Sequence, residues 1–500
     1  MKKILIIGGG VSGLSAGIYA QAAGFNSEIY EKEPVLGGQC TGWNRDGFHI
    51  DGCVHWLTGT KEGSTINRIW KDLGVIAGDD IIQLDRFGSY EYDGVTITLW
   101  KDLDRLEAEL LALSPEDRDA ITNMIRDIRI MQNMVIPVKM PVDMMPLGEK
   151  LKMLKALMGA GGIMTRNSKI SCADYAARFK HPAIQKMIER RVPPDFSVLA
   201  FLFGMGNFTG GNGALPKGGS RGMIDRMEER YRSLGGVVHT GMAAAEILTQ
   251  GRTAKAVVFT DGSRIEADYI IASCDASITF TTLLKKKFAD KLFEMRYRNP
   301  KVYPTLSTFH SAFSVDADLR SYPHSLVFEI APLTVATTTY RSIGIRNYSY
   351  EPAFAPPGKT VITVGLNQIE DDYHFWQRLY TENREKYRSE KRRISEEIKE
   401  RIQHRFPELA EKIRLLDTAT PVTYNRYTGA WRGSWMSFMM TPRAKLMMHK
   451  GRIKGLANCF LTGQWLQPPG GLPTAAIYGH FTVQRICKLE GKPILISLPS

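Results

Sequence analysis

The sequence has no run of about eighteen consecutive apolar residues, which is the length that a helix needs to cross a bilayer. The nearest run, 197–206, is too short. Cysteine is scarce as well, with 6 residues that form no C-x-x-C pair and no His/Cys cluster at metal-ligand spacing. A chain of 500 residues can bury a large core without disulfides. These absences predict a protein of the reducing cytoplasm, with no membrane-spanning helix and no metal site.

Concentrated charge of one sign is also missing. Lys and Arg number 65 against 52 Asp and Glu, a net charge of +13, but the basic residues are spread along the chain. The sequence has no dense basic run and no nucleic-acid-binding motif, so nucleic acid is not an expected partner. Two explanations of the basic excess stay open: an anionic cofactor, and weak contact with an anionic membrane surface.

A dinucleotide-binding pattern opens the chain. Residues 8–13, Gly-Gly-Gly-Val-Ser-Gly, match G-x-G-x-x-G and follow the β-branched apolar run 3–7. Gly8 allows a sharp turn, Gly10 lets the backbone approach a pyrophosphate, and Gly13 lets the following helix pack close to the strand. The N-terminus of that helix then faces the phosphate charges.

The next residues complete a βαβ unit. A helical pattern runs to Gly24, a second strand follows at 27–30, and Glu31 ends this strand. A carboxylate at this place can accept hydrogen bonds from both ribose hydroxyls of an adenosine. Gly37 and Gly38 add a second glycine pair just beyond the acid. This pair resembles the extended flavin fingerprint of the amine oxidase and phytoene desaturase superfamily and favours FAD, because an NAD dehydrogenase has no use for it.

Two later stretches resemble the same superfamily. Residues 215–275 read as a glycine turn, a helix and several strands, and the resemblance implies that backbone near Ala244 faces the adenine. Residues 458–476 read as a buried strand, a glycine-proline loop and a helix from about Thr474, whose N-terminal amides can meet the flavin. Gln464 stands where many amine oxidases carry an acid, and its amide can still bond a ribityl hydroxyl.

Taken together, the segments resemble the phytoene desaturase and all-trans-retinol saturase branch of the flavoproteins from end to end. The more particular motifs are Phe-His-Ile-Asp-Gly-Cys-Val-His-Trp at 48–56, Pro-Lys-Gly-Gly-Ser at 216–220, Thr-Pro-Val-Thr at 420–423 with Arg-Tyr-Thr-Gly at 426–429, and Pro-Gly-Gly-Leu-Pro at 469–473. The resemblance implies FAD-dependent hydride transfer to or from carbon–carbon bonds of a lipophilic, carotenoid- or retinoid-like substrate. Desaturation, saturation and isomerisation all stay open, and the electron donor or acceptor is not indicated.

The expected fold class is α/β. A Rossmann-type FAD-binding domain is assembled from three segments, 1–74, 213–279 and 416–500, and an α+β substrate-binding domain of mixed sheet and helices is inserted at 75–212 and 280–415. The length of the chain agrees with two cores. The predicted FAD contacts are Gly8, Gly10, Val11, Ser12, Gly13, Glu31, Lys32, Gly37, Gly38, Gln39, His55, Trp56, Ala244, Gly463, Gln464, Gly471, Leu472, Pro473 and Ala475.

The candidate catalytic residues are His55, Tyr424 and Arg426. His55 follows the turn that leads toward the flavin, and an imidazole can donate or accept a proton near neutral pH. A buried histidine that holds the loop by hydrogen bonds is an equally good explanation. The resemblance places Tyr424 and Arg426 on the substrate side of the flavin ring, and implies that Trp465 packs on it.

The inserted parts are less specific. A methionine-rich tract between Met124 and Met164 could line a lipid tunnel, although ordinary core packing explains it as well. The basic amphipathic stretch 147–169 could rest on anionic lipid or be a solvated helix face. A sheet is expected over 302–365, followed by one long charged helix over 373–405.

Two other functions compete with a carbon–carbon oxidoreductase. One is a flavin amine oxidase that uses oxygen, against which Gln464 argues. The other is a non-catalytic lipid carrier of the escort-protein type, against which the complete flavin fingerprint argues. The expected location is the cytoplasm, with peripheral contact at the inner membrane face left open.

Overall fold

The computed structural model describes residues 1–134, 136 and 138–498. The strands are β1 (Lys3–Ile7), β2 (Asn26–Tyr30), β3 (Gly42–Arg45), β4 (Phe48–Asp51), β5 (Leu57–Thr58), β6 (Ile81–Ile82), β7 (Arg86–Tyr92), β8 (Val95–Trp100), β9 (Gly213–Pro216), β10 (Val237–His239), β11 (Ala244–Gln250), β12 (Thr253–Phe259), β13 (Arg264–Glu266), β14 (Tyr269–Ala272), β15 (Ser307–Val315), β16 (Ser325–Val335), β17 (Thr338–Asn347), β18 (Thr360–Gln368), β19 (Ile413–Ala419) and β20 (Cys459–Leu461).

The helices are α1 (Val11–Ala22), α2 (Thr65–Asp72), α3 (Leu103–Leu113), α4 (Arg118–Met131), α5 (Leu147–Asn167), α6 (Cys172–Ala176), α7 (Pro182–Arg191), α8 (Leu199–Thr209), α9 (Gly219–Ser233), α10 (Ala276–Ile278), α11 (Lys291–Tyr297), α12 (Glu370–Glu382), α13 (Arg384–Arg405), α14 (Pro421–Thr428) and α15 (Leu472–Leu489). None of these described helices is both long and apolar enough to cross a bilayer.

A five-stranded parallel sheet forms the first core. Its order is β10-β2-β1-β14-β20, so it takes strands from each of the three segments predicted for the FAD-binding domain. The apolar run of β1 is buried on both faces: Ile4 and Ile6 pack with helices α1, α9 and α15, and Leu5 and Ile7 pack with the antiparallel strands β11 and β12. The predicted Rossmann-type α/β fold class is confirmed.

A seven-stranded mixed sheet forms the second core, in the order β19-β15-β18-β17-β16-β7-β8. Only the β16–β7 pairing is parallel among the described pairings of this sheet. Alternate residues such as Phe309, Ile345 and Val364 face helices α12 and α13 and pack with Trp376 and Ile394. The opposite face of this sheet, which we call the inner face, therefore carries the residues at the intervening positions.

Helices α3, α4 and α6–α8 pack with β7 and β8 into a third apolar cluster. Met124 and Met131 are buried there, so the first part of the methionine-rich tract is ordinary core. Met158, in contrast, is 71% exposed. Residues 204–210 are rich in glycine but lack the spacing of a dinucleotide loop. They lie mostly in α8, where a side chain at Gly206 would come within 2.6 Å of Met131 Cβ.

The prediction of one long helix over 373–405 is wrong. Two helices, α12 and α13, meet at Asn383, whose extended φ of −150° interrupts the helix. The Asn383 side chain then accepts a hydrogen bond of 2.8 Å from the Lys386 amide and caps α13. Asparagine is among the best N-cap residues, and this cap explains the break within an otherwise continuous charged pattern.

Candidate active site

The first glycine turn brings β1, α1 and the end of β2 together. Gly8 has a φ of +99°, which favours glycine, and its amide donates to the Tyr30 carbonyl at 2.8 Å. A β-carbon at Gly13 would lie 2.0 Å from the Gly8 carbonyl oxygen. The helix can approach the strand this closely only because Gly13 has no side chain.

Glu31 is buried at the end of β2. One of its carboxylate oxygens accepts from the Gly9 amide at 2.8 Å, and the other accepts from the Glu33 amide at 3.0 Å. The Glu31 carbonyl accepts from the Met242 amide, two residues before Ala244. The structure thus brings the predicted ribose carboxylate and the predicted adenine segment together, although they are more than 200 residues apart in the sequence.

The second glycine pair lies over the first turn. Gly37 and Gly38 have φ values of +129° and +59°, and the Gly37 amide donates to the Gly9 carbonyl at 3.0 Å. A β-carbon at Gly10 would sit 3.6 Å from the Gly37 carbonyl oxygen, an ordinary contact. Within the described chain, α1 begins without a side-chain cap and without an acidic residue in its first turn. Its first amides and its positive dipole end are thus available to an anion.

The last glycine-proline loop closes the site from the other side. The Gln464 side chain donates to Gln39 Oε1 at 2.6 Å and accepts from the Gly471 amide at 3.0 Å. Gln39 in turn donates to the Ser434 carbonyl. Gln464 therefore holds the second glycine region against the start of α15, so its amide is already engaged with protein rather than directed only at a ribityl chain.

The predicted contacts divide by exposure. The exposed positions are Gly38, Lys32 and His55. The partly exposed positions are Gly8, Gly10, Gln39, Trp56, Ala244, Gln464, Gly471, Leu472 and Pro473. The buried positions are Val11, Ser12, Gly13, Glu31, Gly37, Gly463 and Ala475. Apart from Glu31, which can also use its carboxylate, they can act through backbone amides or close packing. At Gly463, for example, a β-carbon would lie 3.2 Å from Ser12 Oγ.

The donor set fits FAD. The N-termini of helices α1 and α15 point toward the joined loops. In the part of the chain that the structure describes, neither N-terminus has a side-chain cap or an acidic residue in its first turn. The amides of α1 suit a pyrophosphate, Glu31 suits a ribose, and the amides of α15 suit the electron-rich edge of a flavin ring. Glycines on both sides leave room for a close backbone approach. The residues that hold each part of the dinucleotide stay predictions.

His55 lies close to Arg346 and His310 of the seven-stranded sheet. Its side chain keeps solvent-accessible surface, yet surrounding protein atoms desolvate it and lower the pKa of His55 well below its usual value. Arg346, His310 and Arg191 lower this pKa further. His55 is therefore neutral at physiological pH, able to donate one N–H bond or accept a proton, but not to act as an imidazolium acid. Its neighbour Trp56 packs edge-on against Phe87 at 5.1 Å.

Tyr424 and Arg426 do not share a site. Both lie in α14, where residues two apart point in nearly opposite directions. Burial raises the pKa of Tyr424, whose hydroxyl has no hydrogen-bond partner among the described residues. Arg426 is exposed and donates to the Tyr380 hydroxyl at 2.9 Å, while its carbonyl accepts from Lys32 at 2.9 Å. Arg426 thus points away from Tyr424, and the catalytic roles of both residues stay predictions.

Trp465 is only 5% exposed, and its packing on the flavin stays a prediction. Its indole lies in an aromatic cluster, 5.2 Å from the ring of Phe438 and 6.0 Å from that of Tyr297. Trp465 supports the loop from behind.

The sequence reasoning missed the inner face of the seven-stranded sheet. Arg346 pairs in register with Ser325 and Thr363, and Thr363 pairs with Ala312, so their side chains share this face with His310. His310 is 5% exposed, and neither of its ring nitrogens has a hydrogen-bond partner in the described chain. The sequence signal was the alternation within β17: Ile343 and Ile345 form an apolar face, and Arg346 is a polar residue on the opposite face.

The buried histidines predict an acid-sensitive fold. Burial lowers the pKa of His310, His324 and His480 to about 4 each. The unfolded chain binds these protons near pH 6.5, so stability is complete above about pH 6.5 and falls as the pH drops toward 4, by at most roughly 3 kcal/mol per histidine.

We expect His310→Asn to flatten this dependence. The melting temperatures of wild type and variant, measured at about pH 7 and about pH 5, should show a smaller loss in the variant because one buried proton acceptor is gone. An equal loss in both proteins would contradict the assignment of His310 as a buried neutral residue.

Comparison with known proteins gives one family. The family described as flavin containing amine oxidoreductase matches residues 11–487 of the chain. Two curated relatives align along nearly their whole length. The 4,4'-diaponeurosporene oxygenase of Staphylococcus haemolyticus (strain JCSC1435) is 24% identical and covers 98% of both chains. The 4,4'-diapophytoene desaturase (4,4'-diapolycopene-forming) of Methylomonas sp is 21% identical and covers 95% of this chain and 93% of its own.

Solved structures share the fold. An oxidoreductase from Methanosarcina mazei superimposes with a TM-score of 0.61 at 16% identity, over 96% of this chain and 99% of its own. A putrescine oxidase bound to putrescine superimposes with a TM-score of 0.58 at 12% identity, over 97% of this chain and 99% of its own. Sequence identities this low show that the architecture is shared, and they do not indicate the substrate.

Proposed function

We propose, since this chain belongs to the flavin containing amine oxidoreductase family and is an FAD-dependent oxidoreductase, that it transfers hydride to or from carbon–carbon bonds of a lipophilic, carotenoid-like polyene. The observation that carries the proposal is the end-to-end similarity to a diapophytoene desaturase and to diaponeurosporene oxygenases. The direction of the reaction and the electron partner are left to experiment.

The residues of this chain supply position and a dry environment. When bound, FAD supplies the hydride acceptor or donor. The N-terminal amides of α15 would hold the edge of the flavin ring, and the positive end of this helix would stabilise added negative charge there. Neutral His55 and the buried Tyr424 hydroxyl lie on the side of the inner face and can hold or move one proton. Apolar and aromatic packing around Trp56 and Phe87 excludes water.

The test is anaerobic incubation of the purified holoenzyme with polyenes of the carotenoid and retinoid classes. We expect a change of two hydrogens in the polyene by mass spectrometry, together with a change in the oxidation state of the flavin. Release of peroxide from amines, with polyenes unchanged, would establish the amine oxidase alternative instead. A purified protein without flavin would favour the lipid carrier.

We also propose that α5 docks the protein on an anionic membrane surface. Four of its side chains, Leu147, Leu151, Leu154 and Met158, are 58–73% exposed and recur at helical spacing. Exposed Lys152 and Lys155 lie on the same helix and can meet lipid phosphates. Burial of each leucine in the interface contributes roughly 1.5–3 kcal/mol. Peripheral attachment suits a lipid-soluble substrate, and the cytoplasmic location stays a prediction.

Replacing Leu151 and Leu154 together with Asp should abolish this docking. Flotation with vesicles that contain phosphatidylglycerol should recover wild type in the lipid fraction and leave the double variant behind, because apolar contact is lost and charge repulsion is added. Replacing exposed Thr381 and Ser389 with Asp changes the net charge equally and should leave binding unchanged. Wild type that fails to float, or an Asp variant of α5 that floats normally, would refute docking through α5.

A further inference from the structure

Arg346 carries an unbalanced charge on the inner face of the seven-stranded sheet. It lies in β17 between Ser325 and Thr363, whose hydroxyls can bond the guanidinium but cannot neutralise it. Burial lowers the pKa of Arg346, and the nearby groups that also affect this pKa are the hydroxyls of Tyr348, Tyr350 and Tyr90 and a second cation. Among the residues that the structure describes, no carboxylate forms an ion pair with Arg346.

The second cation is Arg191, the last residue of α7. Its guanidinium lies 4.0 Å from the ring centre of Phe87, and it also makes no ion pair within the described chain. The adjacent Arg190 shows the usual arrangement, an ion pair of 3.3 Å with Glu329. Arg191 and Arg346 both lower the pKa of His55, so the two unpaired charges lie near the same side chain.

Two partly buried cations that lie near one another without a counter-charge destabilise each other and the fold. An anion between them would reverse both effects. Resting on the proposed function, we propose that the substrate of this site is a polyene that ends in a carboxylate, and that Arg346 and Arg191 bind this end group.

The surroundings favour a carboxylate on a long apolar body over a small free anion. A planar guanidinium suits the two oxygens of a carboxylate. Next to Arg191, the ring of Phe87 stacks on Phe208 at 4.7 Å and meets Trp56 at 5.1 Å. This aromatic wall begins at the charged pair and would contact an apolar chain that extends from it.

The experiment compares a matched acid and ester. All-trans-retinoic acid and its methyl ester are titrated into the holoenzyme, and binding is followed by the change in flavin absorbance. We expect wild type to bind the acid more tightly than the ester. Arg346→Met should weaken binding of the acid by about 30-fold or more and leave binding of the ester unchanged. Arg346→Lys should restore part of the preference for the acid. Arg341→Met, an exposed position on the same strand, is the matched control and should behave as wild type.

Equal affinity of wild type for acid and ester would overturn the inference, as would an Arg346→Met variant that keeps its preference for the acid. A third result would also overturn the inference: Arg346→Met shifts the reduction potential of the flavin but leaves the ratio of acid affinity to ester affinity unchanged. The charge of Arg346 would then act on the flavin and not on a carboxylate. Failure of the proposed function is distinguishable, because a tightly bound acid in an enzyme that converts no polyene would leave the binding site standing.

Discussion

Replacing Gly10 with Val should give a folded protein that contains no FAD. The first carbon of the new side chain fits, because it would lie 3.6 Å from the Gly37 carbonyl oxygen, and the φ of −75° at Gly10 is open to any residue. Its two methyl groups would occupy the space between the Gly10 backbone and the second glycine pair. A pyrophosphate approaching the first amides of α1 needs this space.

The measurement is the ratio of flavin to protein after purification, with circular dichroism as the check on folding. Gly162→Val is the matched control, since Gly162 lies in α5 with no atom near its missing side chain, and this variant should stay yellow. The melting temperature of Gly10→Val should equal that of wild type stripped of flavin, because only the ligand's contribution is lost. A Gly10→Val protein with full flavin content would refute this placement of the pyrophosphate.

Replacing Gly13 with Ala should damage the fold itself. The added β-carbon would lie 2.0 Å from the Gly8 carbonyl oxygen, a backbone atom that cannot turn aside. The helix α1 would have to move away from β1, which disturbs its packing with α15 and costs roughly 3 kcal/mol or more. Alanine favours helix over glycine by only about 1 kcal/mol, so the clash dominates.

Denaturant unfolding of the flavin-stripped proteins distinguishes the effects of the Gly13→Ala and Gly10→Val substitutions. Gly13→Ala should unfold at a clearly lower denaturant concentration than stripped wild type, whereas Gly10→Val should not. Gly161→Ala in α5, where the new side chain meets no atom within 4 Å, should be neutral or slightly stabilising. Normal stability of Gly13→Ala would show that the close approach of α1 to β1 is not needed.

Local patterns were enough to predict the FAD-binding half of the fold. Each glycine of 8–13 has a task set by its own backbone, and the acid at Glu31 follows from the length of one βαβ unit. The confirmed fold class and cofactor rest on such short-range rules. The cap at Asn383 was also readable, but the charged period continued across it and hid the break.

Tertiary contacts could not be predicted in the same way. Burial and the charges of Arg346 and Arg191 lower the pKa of His55, and the two arginines lie 291 and 136 residues farther along the chain (346 − 55 and 191 − 55). The bond between Gln464 and Gln39 joins loops that no local signal pairs. The opposite directions of Arg426 and Tyr424 follow from the helical period of α14, and this could have been read from Pro421 as a helix start.

Stoichiometry in a single anaerobic turnover tests the central claim most directly. Holoenzyme is mixed with less than one equivalent of an acyclic polyene, and the flavin absorbance and the mass of the polyene are recorded together. The account predicts that each polyene molecule converted changes by two hydrogens and that one flavin changes its oxidation state with it. Conversion of polyene with no matching change in the flavin, or a flavin that responds to amines alone, would contradict it.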